Sequence, residues 1–462
     1  MTGSLTSAIR ELVAEDLAGT EASALGADDR REFARQQVFV HLDALTSDQN
    51  EAWEAGYDTE EEERLAKRVL DELFGLGRLQ AFVDDPSIEN IDINGCDRVW
   101  ATFADGSKRM MSPIADSDAE LVDVVRAAAS RFGLSERRFD LACPQLDLRL
   151  PDGSRLSAVM AVAARPAVSI RRHRFSDLSL SDLTALGTLD AGVATFLSAA
   201  VQARKNIVVS GAMNSGKTTL LRALAAEIAP RERIVTIEQA FELGLDNTSH
   251  RHPDMVALEA RPANVEGEGL ISVADLVRRS LRMNADRVIV GEVLGDEVLP
   301  MLNAMSQGRS GSMCTIHADS SAGAFRRIAS YAAQAAERLP LEATNLLIAG
   351  AIHFVVQLES EILDRDGMVS GALDASVDFD AGRSTHRVAQ LEFPPVSTRQ
   401  RFVSSIREVV DSEGVHVVSN EVFRPDVDRR AVSAAPFRPE TVNELERFGY
   451  HMRFPGFVEA PM

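Results

Sequence analysis

Asn206-Ile207-Val208-Val209-Ser210-Gly211-Ala212-Met213-Asn214-Ser215-Gly216-Lys217-Thr218-Thr219-Leu220-Leu221 decides the fold. The opening run, 206–210, is short, apolar and β-branched, as a strand buried on both faces would be. Gly211 to Thr218 then matches the pattern G-x-x-x-x-G-K-[ST], and Leu220, Leu221 and Leu224 follow at helical spacing, which predicts a helix over 216–228. A strand that turns through a glycine loop into a helix suits phosphate, because the loop N–H groups and the helix N-terminus face the anion together. Lys217 adds a mobile positive charge for the β and γ phosphates, and the Thr218 hydroxyl is placed to ligate Mg²⁺. The segment therefore predicts Mg-ATP held along Gly211, Asn214, Ser215, Gly216, Lys217, Thr218 and Thr219. A guanine nucleotide is disfavoured, since no Asn-Lys-x-Asp run occurs in the chain.

Working outward, a linker over 176–189 and a helix over 190–203 precede the loop. Beyond it, strands over 234–238 and 288–292 alternate with a helix over 273–283, the rhythm of a mostly parallel sheet covered by helices. Two of these strands end in carboxylates, Glu238 (with Glu242 close behind) and Glu292. Strand ends beside the loop open onto the same crevice, so Glu238 is the candidate for polarising water and Glu292 the candidate metal ligand. His317 ends a strand-like run from Gly311 and is read either as structural or as a donor to the γ-phosphate. Arg278 and Arg282, four apart on the expected helix, form an exposed basic stripe or present two guanidiniums to a phosphate or a neighbouring subunit's nucleotide.

The other half of the chain has a different texture. Residues 1–63 read as helices with acidic connections ending in Glu60-Glu61-Glu62-Glu63, a solvated face without chemistry. From Arg64 an amphipathic helix opens a small α+β domain with strands over 88–93, 99–103 and 146–150. Turns at Asn94-Gly95, Asp105-Gly106 and Asp152-Gly153 punctuate it, and a helix covers 119–131. A length of 462 residues exceeds what one core usually organises. The net charge of -21 argues against an electrostatic grip on nucleic acid or anionic lipid, and so against a DNA translocator. Cys96, Cys143 and Cys314 are too few and scattered for a disulfide framework or a cysteine metal site, which suits a reducing compartment. The N-terminus has no secretory pattern, and the longest apolar stretch, 346–358, is broken by His353 and too short to span a bilayer. The expectation is a cytoplasmic protein recruited to the inner face of the membrane by a partner.

Several motifs in a fixed order carry a resemblance that covers about Leu65 to Pro425. They include Leu73-Phe74-Gly75-Leu76-Gly77-Arg78-Leu79, Asp84-Asp85-Pro86-Ser87-Ile88, Leu150-Pro151-Asp152-Gly153-Ser154-Arg155 and Ser169-Ile170-Arg171-Arg172. The phosphate loop, Val235-Thr236-Ile237-Glu238, Leu258-Glu259-Ala260-Arg261-Pro262, Asp286-Arg287-Val288-Ile289-Val290-Gly291-Glu292 and Thr315-Ile316-His317-Ala318 complete the series. The chain resembles the secretion ATPases of type II secretion, type IV pilus and type IV secretion machines, most closely the Tad (tight adherence) pilus ATPases of the CpaF-like branch. The resemblance implies an α/β fold with an N-terminal α+β domain over 64–175 and a RecA-like P-loop ATPase domain over 176–425, between residues read here as a helical extension over 1–63 and a tail over 426–462. It further implies a hexameric ring, ATP and Mg²⁺ as ligands, and a membrane platform protein as partner. Glu238 and Glu242 fall in the family's acidic box, Glu292 in Walker B and His317 in the histidine box, while Arg155, Arg278 and Arg282 match arginines around the nucleotide. Gln239, Leu294-Gly295-Asp296 and Cys143-Pro144-Gln145 depart from the family pattern, which points to slower turnover or altered coupling.

Overall fold

A computed structural model describes residues 2–19, 25–47, 59–103, 107–132, 138–172, 178–248, 251–261, 263–264, 267–306, 310–363, 392–393 and 398–451. The Asp105-Gly106 turn, Pro262, the expected boundary at 175/176 and the last eleven residues lie outside them. The chain divides into two units, residues 1–172 with 381–396 and residues 173–380 with 397–462.

In the first unit, helices α1 (Thr2–Ala18), α2 (Ala27–Ser47) and α3 (Thr59–Phe74) pack on one another. Ile9, Val13 and Leu17, then Ala34, Val38 and Leu42, recur four apart, and with Leu65, Ala66, Val69 and Leu70, which share one face at spacings of three and four, they are buried together. Helices α1 and α2 thus share a small core with α3. Glu60, Glu61 and Glu62 stand in the first turn of α3, where the helix dipole favours acids, and α3 runs straight through the boundary expected at 63/64.

After the short α4 (Gln80–Asp84) come β1 (Ile88–Asn94), β2 (Val99–Phe103), β3 (Lys108–Met111), α5 (Asp118–Phe132), β4 (Gln145–Arg149), β5 (Arg155–Val159) and β6 (Ala167–Arg171). With β13 (Glu392–Phe393) they form a sheet ordered β13-β3-β2-β1-β6-β5-β4, each pair antiparallel. Gly95 sits at φ +77° with the Arg165 guanidinium where a Cβ would stand, so a side chain there would be strained and would displace the arginine.

The second unit begins with α6 (Leu180–Ala185), capped reciprocally by Ser179 and Asp182, and α7 (Ala191–Gln202), capped by Asp190. The sequence continues through β7 (Ile207–Gly211), α8 (Lys217–Ala225), β8 (Ile234–Glu238), β9 (Met255–Glu259), α9 (Val273–Ser280), β10 (Arg287–Val293), α10 (Val298–Ser306) and β11 (Met313–His317). It ends with α11 (Ser321–Gln334), α12 (Leu341–Ala351), β12 (Phe354–Leu363), β14 (Thr398–Glu413), β15 (His416–Pro425), β16 (Ala431–Ser433) and α13 (Pro439–Glu446). The sheet order is β16-β15-β14-β12-β7-β11-β10-β8-β9. The six strands from β12 to β9 are parallel, and β14, β15 and β16 extend the edge antiparallel. Ile207 and Val209 join one core cluster and Val208 the other, so β7 is buried on both faces, as its unbroken apolar run requires.

The start of β7 is pinned by Asn206. Its side-chain amide donates to the carbonyls of Met305 (2.8 Å) and Ala351 (2.6 Å), and its oxygen accepts the N–H groups of Gly311 and Ser312. Its own N–H donates to His353 Nδ1, so the histidine that breaks the apolar stretch 346–358 marks the turn from α12 into β12. Burial lowers the His353 pKa to about 4, which keeps that nitrogen an acceptor. No described helix is long and apolar enough to cross a membrane.

One expectation is corrected here. Residues 426–451 are not an appendage: Phe437, Leu445 and Tyr450 are buried in the second unit's core, with the Phe437 ring stacked on Phe196 at 5.2 Å. Aromatic residues spaced without period carry no amphipathic signal, yet each fills a place in one cluster.

Candidate active site

The phosphate loop grows out of the C-terminal end of β7. At Gly211 a Cβ would come within 2.5 Å of Ser215 Oγ and 2.6 Å of the Leu358 carbonyl oxygen, so the loop closes on itself only with glycine there. Asn214 (φ +59°) and Gly216 (φ +94°) are both left-handed, a conformation that Asn tolerates and Gly adopts freely. Helix α8 starts at Lys217 with no side-chain cap, which leaves its first N–H groups for an anion. Ser215 Oγ is buried with no hydrogen-bond partner among the described residues, an orphan inside the loop that a polar ligand would satisfy. Thr218 and Thr219 are half-buried in the first turn.

Lys217 is 7% exposed; its Nζ donates to the Ala212 carbonyl at 2.8 Å and lies 3.1 Å from His317 Nδ1. His317 Nε2 in turn lies 2.6 Å from Glu292 Oε1. One proton arrangement satisfies all three groups: the ammonium donates to Nδ1, and Nε2–H donates to the carboxylate. The chain of contacts follows from strand order, since β7, β11 and β10 are neighbours and His317 pairs in register with Gly211.

Glu238, at the end of β8, is placed differently. It is 3% exposed, and its Oε2 accepts the N–H groups of Glu242 and Leu243, both at 2.7 Å. Burial pushes its carboxyl up to about 7, against the lowering pull of those two donors. The Glu242 carbonyl is held by Arg222.

The expected arginines have partners of their own or lie in a turn. Arg155 belongs to the first unit, on β5, with its guanidinium 3.7 Å from Asp147. Arg278 is half exposed on α9 and pairs with Asp275 (3.4 Å) and Glu337 (3.6 Å). The shared helix face expected for Arg278 and Arg282 is corrected: α9 stops at Ser280, and Arg282 is exposed in the following turn, its N–H bonded to the Arg279 carbonyl. Among the departures from the family pattern, Gln239 is exposed, and the Leu294-Gly295-Asp296 turn is capped by Glu297, whose carboxylate accepts the N–H groups of Leu294 and Gly295.

The structure adds residues that the sequence reading missed. An open cleft of about 420 Å³ is lined by Ala212, His317, Asp319, Arg326 and Arg327, among others. The two arginines follow the histidine strand on α11, and only their adjacency in sequence could have drawn notice. Arg401, on β14, donates from Nε to the Asn214 carbonyl at 3.0 Å, and no motif marks it. Oxygen donors at Thr218 and Glu292 suit a hard cation such as Mg²⁺. The described residues hold no group of three or more His, Cys, Asp or Glu able to form a metal cage.

Comparison with known proteins bears on this geometry. The model of the family "Type II/IV secretion system protein" matches residues 73–369. A putative conjugal transfer protein of Mycobacterium tuberculosis is 38% identical over 262 residues, 54% of this chain and 72% of its own length. The type IV secretion system protein PtlH of Bordetella pertussis is 32% identical over 62% of this chain and 89% of its own. The crystal structure of the VirB11 ATPase of the Brucella suis type IV secretion system, in complex with sulphate, aligns at 28% identity and a TM-score of 0.32. That alignment covers 66% of this chain and 94% of that one.

Proposed function

We propose, from the premise that this chain belongs to the type II/IV secretion system ATPase family, that it is the Mg-ATP-hydrolysing motor of a pilus-assembly machine of the Tad type. It would work as a hexameric ring against a membrane platform protein. The observation that carries the reading is the chain Lys217–His317–Glu292 at the ends of three neighbouring strands, beside an uncapped helix N-terminus. Pilus assembly is preferred to DNA transfer because a net charge of -21 opposes binding to a polyanion.

Lys217 is held by a carbonyl and an imidazole, both of which it can exchange for phosphate oxygens. That exchange releases His317 Nδ1 from the ammonium and couples phosphate occupancy to the His317–Glu292 pair. Thr218 and Glu292 are the residues that would hold Mg²⁺, which when bound supplies charge neutralisation on the phosphates. Glu238 fixes the 242–243 backbone beside the site and remains the candidate for orienting water. Arg278 and Arg282, both exposed, are assigned to a neighbouring subunit's nucleotide, and Arg155 to nucleotide contact on the resemblance alone. A second reading, a nucleotide-gated scaffold with weak turnover, draws on the burial of Glu238 against backbone amides.

The test is ATP hydrolysis as a function of protein concentration for wild type and Lys217→Ala. The motor reading expects activity per chain to rise with concentration and to vanish in the variant. Unaltered hydrolysis in Lys217→Ala would overturn the site, and tight ATP binding without turnover at any concentration would establish the scaffold.

A further inference from the structure

We infer that Arg401 is a positioning residue that holds the phosphate loop in its binding-ready form. Strand β14 lies antiparallel on β12, with Arg401 opposite Ser360, while Leu358 of β12 pairs with Gly211, the last residue of β7. The end of the β12–β14 pair therefore reaches the point where the loop leaves the sheet. There the arginine bonds one loop residue and passes close to another. Its Nε–H donates to the Asn214 carbonyl at 3.0 Å, and its Cδ lies 3.2 Å from where a Cβ on Gly216 would stand. Asn214 and Gly216 are the two left-handed residues that flank Ser215, so the contact falls on the part of the loop with the least backbone preference for its shape.

A loop fixed in this way before ligand arrives loses less freedom on binding, and preorganisation of that kind appears as affinity. The contact also gives Gly216 a second reason to be glycine, since any side chain would meet the arginine's aliphatic arm. Arg401 lies on β14, outside residues 73–369, the stretch that the family model matches. Because the loop amides and Lys217 surround phosphate common to both nucleotides, a residue that shapes the loop affects ADP and ATP alike. A residue that touches the γ-phosphate affects ATP alone.

The inference rests on residues 211–218 being a nucleotide-phosphate loop, and Lys217→Ala tests that premise separately. The experiment is calorimetric titration of the full chain with ADP and with a non-hydrolysable ATP analogue, for wild type, Arg401→Ala, Arg401→Lys and Lys217→Ala. Arg401→Ala should weaken both nucleotides by about tenfold, the loss of one hydrogen bond to a charged donor. Arg401→Lys should recover most of that loss, because its ammonium can reach the same carbonyl. Equal affinities in wild type and Arg401→Ala would overturn the inference, provided Lys217→Ala fails to bind. A loss confined to the triphosphate would overturn it in favour of direct contact. If Arg401→Ala does not give a cooperative melting transition, Arg401→Met, which keeps the aliphatic arm but has no donor, replaces it, with the same tenfold loss expected and affinities equal to wild type overturning the inference.

Discussion

Strands β8 and β10 lie side by side in the second unit, run parallel and each bring a glutamate to the same edge of the sheet. Glu292 is about one-third exposed and bonded to His317, whereas Glu238 is almost wholly buried and bonded to two backbone N–H groups. Position in sequence set both carboxylates at strand ends beside the loop; their surroundings make one a member of the Lys217–His317 chain and the other a clasp on the 242–243 backbone. The divergence has a local cause. Ile237 pairs with Val290, so Glu238 falls against Gly291, where a Cβ would stand 2.9 Å from its Cγ. Gly291 thus opens the space that buries one glutamate just before the chain presents the other.

The comparison predicts a large difference in turnover. Glu292→Gln should lower the ATP hydrolysis rate by about a hundredfold or more, the usual scale for a group acting on the reacting centre, with ATP affinity retained. Glu238→Gln keeps an oxygen that accepts both N–H groups and can still hydrogen-bond a water, so its loss should be clearly smaller, and a loss as large as that of Glu292→Gln would break the distinction. Steady-state rates of the two variants measured in parallel decide it.

A smaller effect concerns stability. The folded-state pKa of Glu238 is raised, so between the ordinary carboxylate value and about 7 the folded chain keeps a proton that the unfolded chain has lost. Its contribution is fully present below the unfolded pKa and is lost as pH rises through the folded one. Glu238→Gln, neutral throughout, should therefore gain about 2–3 kcal/mol on wild type between pH 5 and pH 8 in urea unfolding. Parallel curves for the two proteins would show that Glu238 is not buried in this way.

The smallest effect sharpens the local cause. Gly291→Ala places a methyl against Glu238 and should cost about 1–2 kcal/mol by overpacking, read as a lower unfolding midpoint. In the Glu238→Ala background the same substitution should cost clearly less, since the side chain it meets is gone.

Some elements were legible because they depend on neighbours in sequence. The phosphate loop combines a buried strand, glycines and a helix within a few residues, and the first unit's β1 and β2 announce themselves by β-branched runs and an Asn-Gly turn. Others were not. Strand β3, Lys108-Arg109-Met110-Met111, has no apolar alternation and is a strand because β2 and β13 pair with it. Arg282 has helical spacing from Arg278 but lies past the last turn of α9. Phe437, Leu445 and Tyr450 have no period, and only the core cluster around Phe196 gives them a role.

The sequence by itself determined the nucleotide loop, the parallel rhythm around it and the identity of the groups at the strand ends, because these follow from short-range backbone preference and residue chemistry. Only the tertiary structure decided which carboxylate is buried, that His317 joins Lys217 to Glu292, and that Arg401, 187 residues beyond Asn214, braces the loop. Those outcomes depend on strand order and on the space left by a neighbouring strand, and neither quantity is encoded locally.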